Sequence, residues 1–506
     1  MKGDSGSGEP KGMTRRQSIM ATAAFLGVAG ATMVKAEIGT PSIRLASAVK
    51  KIADPASRSD DLAFSSIVDL GKAYRIGKVS PVAVTHMLID RIRRLNIRLN
   101  AFITILEAQC LADAEAAERA LRSGQDRGPL HGVPIAIKDN TTVAGVPTTF
   151  GSRAASPRMS DTDANLVRNL KQAGAIIIGK TNMLEYAYGA VNPDFGQTNN
   201  PWDPNRTSGG SSGGSASAVA AGLCFGAVGT DTGGSIRIPA AYCGVAGIKP
   251  TYGRVDVEGV QALSPSLDHA GALGRSCADT ALMLSGMLGT PLNVSPRTLS
   301  GLRVGLLQPP GAERFLEPGV RRVFDHTIDV LKLQGATVHA LNIPGLGDVT
   351  NAVVKIIEPE ASVIYRAMIR YDAKGLSATT RAQFESGFQI SAVDYLDALG
   401  LQRDLRAAFK RLFEGVDVVL SPAVAWVAPA GDPAVGDERG AGEMLYSGIY
   451  DLVGIPALSI PCGLSEGLPV GLQIATPWGA DELALSIGAA LEGVLPALGH
   501  PNGLAR

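Results

Sequence analysis

The stretch Thr207-Ser-Gly-Gly-Ser211-Ser212-Gly-Gly-Ser215-Ala-Ser-Ala-Val-Ala-Ala-Gly222 opens as a turn of hydroxyls and glycines and continues as a helix of very small residues. A helix made of Ala, Ser and Gly lets other backbone come close, which predicts a place deep in an interior. Cys224 to Gly229 then reads as a strand, broken by Thr230-Asp231-Thr232-Gly233-Gly234-Ser235 just before Ile236-Arg237-Ile-Pro-Ala-Ala. Two glycines ahead of Ser235 allow successive N–H groups to turn toward one point, the geometry an oxyanion hole requires. Ser235 falls at a helix start, where the dipole favours developing negative charge.

Upstream, Ser80-Pro81 reads as the cap and first-turn proline of a helix whose apolar residues Val84, Met87, Leu88, Ile92 and Leu95 recur at helical spacing. Ala101 to Ile105 is a short strand and Glu107 to Leu121 an Ala-rich helix stopped by Gly124. Val133 to Lys138 is an apolar strand that delivers Lys138 at its end. Asn165 to Ala173 is helical, and Ala175 to Ile178 a buried strand. Downstream, Leu302–Leu307, Val320–Leu333 and Ala336–Asn342 form a strand–helix–strand unit. Val418–Leu420, Ala457–Ile460 and Val470–Ile474 are later strands, and Leu483–Leu495 a closing helix. The alternation predicts an α/β fold, a single large domain with a mixed central sheet covered by helices on both faces.

The 506 residues carry 47 Lys+Arg against 47 Asp+Glu, a formal net charge of zero. That balance argues against a dedicated nucleic-acid or acidic-membrane binder, which needs a basic excess to gather phosphates. With 45% hydrophobic and 19% charged residues, the chain has ample material for a packed core. Cys110, Cys224, Cys243, Cys277 and Cys462 are scattered with no C-x-x-C pair, so they read as small buried hydrophobes. The histidines His86, His131, His269, His326, His339 and His500 show no metal-binding spacing, and neither a metal nor another cofactor is expected.

Two motifs match by letter and fail on physics. Gly174-Ala-Ile-Ile-Ile-Gly179-Lys180-Thr181 fits the pattern of a phosphate-binding loop, but such a loop needs bendable residues, whereas Ala175 to Ile178 is stiff, largely β-branched and itself the strand. Gly209-Gly-Ser211-Ser-Gly213 fits a nucleophile elbow, but the polar, Pro-containing stretch from Trp202 to Ser208 replaces the apolar strand that should precede it.

Residues 1–36 read as an address. Thr14-Arg15-Arg16-Gln17-Ser18-Ile19-Met20 leads into a mildly apolar run from Ala21 to Val34 that is too short and too rich in Ala and Gly to span a membrane comfortably. It resembles a bacterial twin-arginine export signal cleaved after Ala36, which implies a periplasmic location; Met13 is an alternative start to Met1. Removing its five basic and two acidic residues leaves 42 against 45, a net charge of −3. Residues 37–60 are expected to be an exposed segment and 61–500 the catalytic domain, with 353–448 forming much of a substrate lobe.

The stretches Gly209–Gly214 and Gly229–Pro239, the 24-residue interval from Ser211 to Ser235, and Lys138 in Ile-Ala-Ile-Lys-Asp-Asn140 together resemble the amidase signature family. Gly179-Lys-Thr-Asn-Met183, Asn200-Pro-Trp202 and Gly247-Ile-Lys-Pro-Thr251 agree with it, and the resemblance runs from about Ile67 to Leu491. It implies hydrolysis of a carboxamide C–N bond through a serine acyl-enzyme, with Ser235 as nucleophile, Ser211 as proton relay and Lys138 as general base. Lys138 would have to be buried, since desolvation is what makes a lysine neutral at ordinary pH. The resemblance also implies a cis Gly210–Ser211 peptide and an oxyanion hole from the N–H groups of Thr232, Gly233, Gly234 and Ser235.

Asp231 and Arg237 read as structural, and Ser212 and Ser215 as turn and cap residues. Tyr186, Tyr188, Tyr242 and Trp426 are candidates either for a substrate pocket or for the core. The expected partners are a small-molecule amide and, before maturation, the export machinery; a homodimer stays open, and no stable membrane anchor is expected. Two other functions share these residues or this location: the glutaminase (A) subunit of a tRNA-dependent amidotransferase, and a catalytically silent periplasmic amide-binding protein.

Overall fold

The computed structural model describes residues 62–188, 190–371, 374–433, 438–501 and 504. The expected export signal and the segment 37–60 lie outside the described residues. Eleven strands form one sheet: β1 (Phe102–Ile105), β2 (Pro134–Lys138), β3 (Ile176–Thr181), β4 (Gly226–Asp231), β5 (Ala246–Lys249), β6 (His269–Gly274), β7 (Arg303–Leu306), β8 (Thr337–Ala340), β9 (Val418–Pro422), β10 (Ala457–Ser465) and β11 (Leu468–Ala475). Their order is β1-β3-β2-β4-β6-β5-β10-β11-β9-β7-β8. The sheet is mixed. β2 runs parallel to β3 and β4, and β7 parallel to β8 and β9, while the remaining pairs are antiparallel. The fold is therefore the expected single α/β domain with a large mixed sheet flanked by helices.

Strands β2, β3 and β4 are buried along their whole length, as continuous apolar runs in parallel pairing require. Helix Pro81–Leu99 starts as read: the Ser80 hydroxyl accepts from Ala83 N–H, with proline in the first turn. Helix Gly213–Ala220 is buried at all eight residues. A Cβ on Gly214 would stand 2.4 Å from Asn182 O and 2.5 Å from Ala101 O, both main-chain atoms that cannot swing aside, so the close backbone approach inferred from its composition is real. β3 extends beyond the expected Ala175–Ile178 to include Lys180 and Thr181, so the phosphate-loop letters lie on a strand. β5 and β6 have no counterpart in the sequence reading. His269-Ala-Gly-Ala-Leu-Gly274 lacks the β-branched residues that mark a strand, because Ile248 O and the Ile236 side chain press so closely on Gly271 that a Cβ would meet them at 2.1 and 2.9 Å.

A second apolar core lies under the segment expected to form the substrate lobe. Helices Val349–Ile364, Ala378–Ser386 and Ala392–Gly415 bring Val353, Ile357, Phe384 and Phe409 into one cluster with Tyr450 and Ile455. Residues 353–448 are not all lobe, however, since β9 sits inside the main sheet between β11 and β7. All five cysteines are free and buried, and among the described residues no helix is long and apolar enough to cross a membrane.

Candidate active site

Lys138 ends β2, where parallel neighbours on both sides shut it away from solvent; its side chain is 0% exposed. Its Nζ lies 2.7 Å from Ser211 Oγ and 2.8 Å from Thr230 Oγ1, at the end of the adjacent β4. Thr230 Oγ1 also accepts from Asn140 Nδ2 at 3.0 Å, which fixes the hydroxyl between the two. Among the described residues no carboxylate forms an ion pair with Lys138. Desolvation lowers its pKa to about 7, with the more distant negative charges of Asp231 and Asp268 opposing the shift.

Ser211 follows a cis Gly210–Ser211 peptide bond, as the resemblance implies. Its neighbour Ser212 donates its N–H to Ser235 O at 3.1 Å, which ties the two serine-bearing turns together. The Ser212 hydroxyl also donates to Thr230 O and accepts from Thr230 N–H, and Ser215 Oγ donates to Val228 O. Both are thus occupied in joining helix Gly213–Ala220 to β4. Ser211 and Ser235 line one narrow cleft, and the Ser235 hydroxyl makes no hydrogen bond among the described residues.

Arg237 and Asp231 organise the turn that carries Ser235. Both side chains are 0% exposed, and the guanidinium donates to both Asp231 oxygens at 2.9 and 3.0 Å, to Asp451 at 2.5 Å, to Gln473 Oε1 at 2.7 Å and to Ser447 O at 2.9 Å. Buried beside this arginine, Asp231 is held far below the usual carboxylate range despite desolvation. Its two oxygens also accept from Gly234 N–H at 2.6 Å and Ile236 N–H at 3.1 Å, and Ser447 Oγ donates to Gly233 O at 2.6 Å. Asp231 and Arg237 hold the loop as expected.

This geometry corrects the expected oxyanion hole. The Gly234 N–H is committed to Asp231 and Gly234 does not line the cleft, whereas Thr232, Gly233 and Ser235 do line it and their N–H groups make no hydrogen bond among the described residues. Gly234 is needed instead for its backbone: φ is +136°, and a Cβ would meet Ser447 Oγ at 2.4 Å.

The proposed pocket aromatics separate. Tyr188 lines the cleft. Tyr186 does not; it packs edge-on against Tyr365 and Phe384 in the second core, a place its size suits. Tyr242 is also away from the cleft, buried with Trp426 and donating its hydroxyl to Glu443 at 2.7 Å. The walls come instead from residues that carry no readable signal: Leu184, Leu263, Val354, Ile357, Met444, Asp432 and Glu443. Thr230, Ser447, Asp451 and Gln473 were also missed; each is defined only by a partner that stands far away in the chain. Among the described residues there is no cluster of metal-ligating side chains.

A neutralisable buried lysine, a serine in contact with it and a second serine facing a cleft with amide donors beside it make up a site for acyl transfer. The model of the Amidase family matches residues 83–485, and the chain belongs to that family. It is an amidase-family enzyme acting on amide C–N bonds. It is 35% identical over 472 residues to the (A) subunit of glutamyl-tRNA(Gln) amidotransferase from Chromohalobacter salexigens, covering 83% of this chain and 95% of that one. Among solved structures it is similar to a crystal structure of an amidase, with TM-score 0.79, 34% identity and coverage of 85% of this chain and 100% of that one. It is also similar to the native peptide amidase of Stenotrophomonas maltophilia, with TM-score 0.73, 29% identity and coverage of 85% and 97%.

Proposed function

We propose that the chain hydrolyses a carboxamide through an acyl-enzyme on Ser235, with Lys138 as base and Ser211 as relay. The observation that carries this reading is the 2.7 Å contact between the fully buried Lys138 Nζ and Ser211 Oγ. A neutral amine has two N–H donors and one lone pair; with a donor satisfied by Thr230, the lone pair is left for Ser211. As Ser235 Oγ bonds to the carbonyl carbon, its proton passes to Ser211 while the Ser211 proton passes to Lys138. The N–H groups of Thr232, Gly233 and Ser235 receive the oxyanion, each such donor contributing on the order of 3 kcal/mol. Collapse breaks the C–N bond, the relay returns a proton to nitrogen, and ammonia or an amine leaves. Water then attacks the acyl-enzyme by the same route to give the carboxylic acid. Ser235→Ala should abolish ammonia release and labelling by a fluorophosphonate; a variant that still turns over amide refutes the assignment.

Two readings differ in the destination of the ammonia: release by a lone hydrolase, or transfer by the glutaminase component of a tRNA-dependent amidotransferase. The curated amidotransferase relatives support the second more directly than the first, since the similarity spans nearly the full length of those chains. The peptide amidase similarity favours the first. Ammonia release by the purified lone protein from a non-glutamine amide supports the lone hydrolase, and activity only on glutamine with partner subunits present supports the other. We further propose export by the twin-arginine route, supported by Arg15-Arg16 and the apolar run after them. Fusion of residues 1–36 to a folded reporter tests it: export that survives Arg15→Lys with Arg16→Lys speaks against that route.

A further inference from the structure

We propose that the substrate is a carboxamide with an apolar body and a protonated amine, and that Asp432 is the residue that receives the cation. This rests on the acyl-enzyme reading above. Much of the cleft wall facing Ser235 is apolar, from Leu263, Val354, Ile357 and Met444, and among the described residues the charged side chains that interrupt it are two carboxylates, Asp432 and Glu443. An apolar wall recognises a hydrocarbon body by burying it, while a carboxylate in such a wall selects a donor or a positive charge.

Asp432 is held in place by the machinery of the site. Thr207 Oγ1 donates to its Oδ1 at 2.9 Å, and the same hydroxyl accepts from Gly209 N–H at 2.9 Å, two residues before Ser211. The chain just before Asp432 is fastened to that turn as well, with Thr207 N–H donating to Pro429 O at 2.9 Å and Arg206 Nη1 to Ala428 O at 2.7 Å. Asp432 Oδ2 has no hydrogen-bond or ion-pair partner among the described residues. A hydroxyl fixes the carboxylate without cancelling its charge, so a partly desolvated anion is left at the cleft wall. Burial raises its pKa to about 6, which still leaves it ionised at neutral pH.

Tyr188 also lines the cleft, but its hydroxyl is shut in beside the Glu358 carboxylate and is not open to a ligand. Burial and that carboxylate hold the phenol well above its ordinary range. The unpaired Asp432 carboxylate suits an amino-acid amide, whose carboxyl group is tied up in the C–N bond being cleaved. An amide that keeps a separate free carboxylate brings an anion to a wall that already holds two.

The test uses the purified full chain and two amides of one skeleton, phenylalaninamide with its ammonium and 3-phenylpropionamide without it, read by ammonia release. The cationic amide is expected to have a kcat/KM about tenfold higher or more. Asp432→Asn should pull that ratio toward one, and Asp432→Glu should restore part of it. A wild-type ratio of one or below, or a ratio that Asp432→Asn leaves unchanged, overturns the assignment. Fluorophosphonate labelling of Ser235 run alongside separates the two ideas. A labelled enzyme without discrimination overturns Asp432 alone; an unlabelled enzyme that releases no ammonia overturns the acyl-enzyme reading and the assignment with it.

Discussion

Lys138 and Lys180 stand on neighbouring strands, both fully buried, and they are put to opposite uses. In the β2–β3 register Lys138 lies opposite Thr181 and Lys180 opposite Ile137, so a one-residue offset sends the two side chains to different faces of the sheet. Lys180 meets the Asp139 carboxylate at 2.9 Å and donates to Thr148 Oγ1 at 3.0 Å. Lys138 meets two hydroxyls. Burial lowers the pKa of both, and at Lys180 the adjacent Asp139 charge and hydrogen bond oppose the shift directly. Burial beside a counter-charge makes Lys180 an ion-pair partner, whereas burial without one suits Lys138 to the base role proposed for it.

The widest gap between the two should appear on removal of Lys138. Lys138→Ala is expected to slow acylation of Ser235 at pH 7 by about a thousandfold or more, with far-UV circular dichroism unchanged. In the wild-type enzyme kcat/KM should climb as pH rises through about 7, because the base works only after Nζ loses its proton. A normal rate in Lys138→Ala, or a profile flat from pH 6 to 8, would give the base role to another group.

Lys180→Met should act on stability instead. It strands the Asp139 carboxylate in the interior, a loss of about 3–5 kcal/mol measurable by urea unfolding. The fraction that stays folded should keep the wild-type pH profile. A shifted profile would mean that the two lysines are coupled and that the contrast drawn between them is wrong.

The smallest effect sharpens the account of Lys138 itself. Asp268 accepts from Thr232 Oγ1 at 2.7 Å and its negative charge raises the Lys138 pKa. Asp268→Asn removes that charge, so the pKa falls and the rising limb of kcat/KM should move to lower pH, by about a few tenths of a unit. A limb that moves upward would show that this carboxylate acts on Lys138 by some means other than its charge.

The same contrast explains what could be read from the sequence. Lys138 was legible because Val-Pro-Ile-Ala-Ile ahead of it spells a buried strand and because Ser211 and Ser235 stand at a characteristic interval. Lys180 was legible as part of a stretch that agrees with the family and as a residue whose neighbours were too stiff for a phosphate loop, but not as the ion-pair partner of Asp139. The turn at Thr230–Ser235 announced clustered amides, but not that Asp231 would claim the Gly234 N–H, since that bond depends on how the loop closes. β6 was invisible because close packing had replaced its strand-forming side chains with Gly and Ala. The cleft wall was invisible for a different reason. Val354, Ile357 and Met444 look like any core residues, and only the tertiary fold leaves empty space beside them. Tyr186 and Tyr242 stayed open between pocket and core because aromatic bulk suits both, and the structure places them in the core.

Arg237 reaches forward to Ser447, Asp451 and Gln473, and the Ser447 hydroxyl grips the main chain at Gly233. A polypeptide emerging from the ribosome has therefore made its lysine and both serines more than two hundred residues before the parts that set the reactive turn exist. The loop that carries Ser235 thus gains these fastenings only after residues 447–473 have been made.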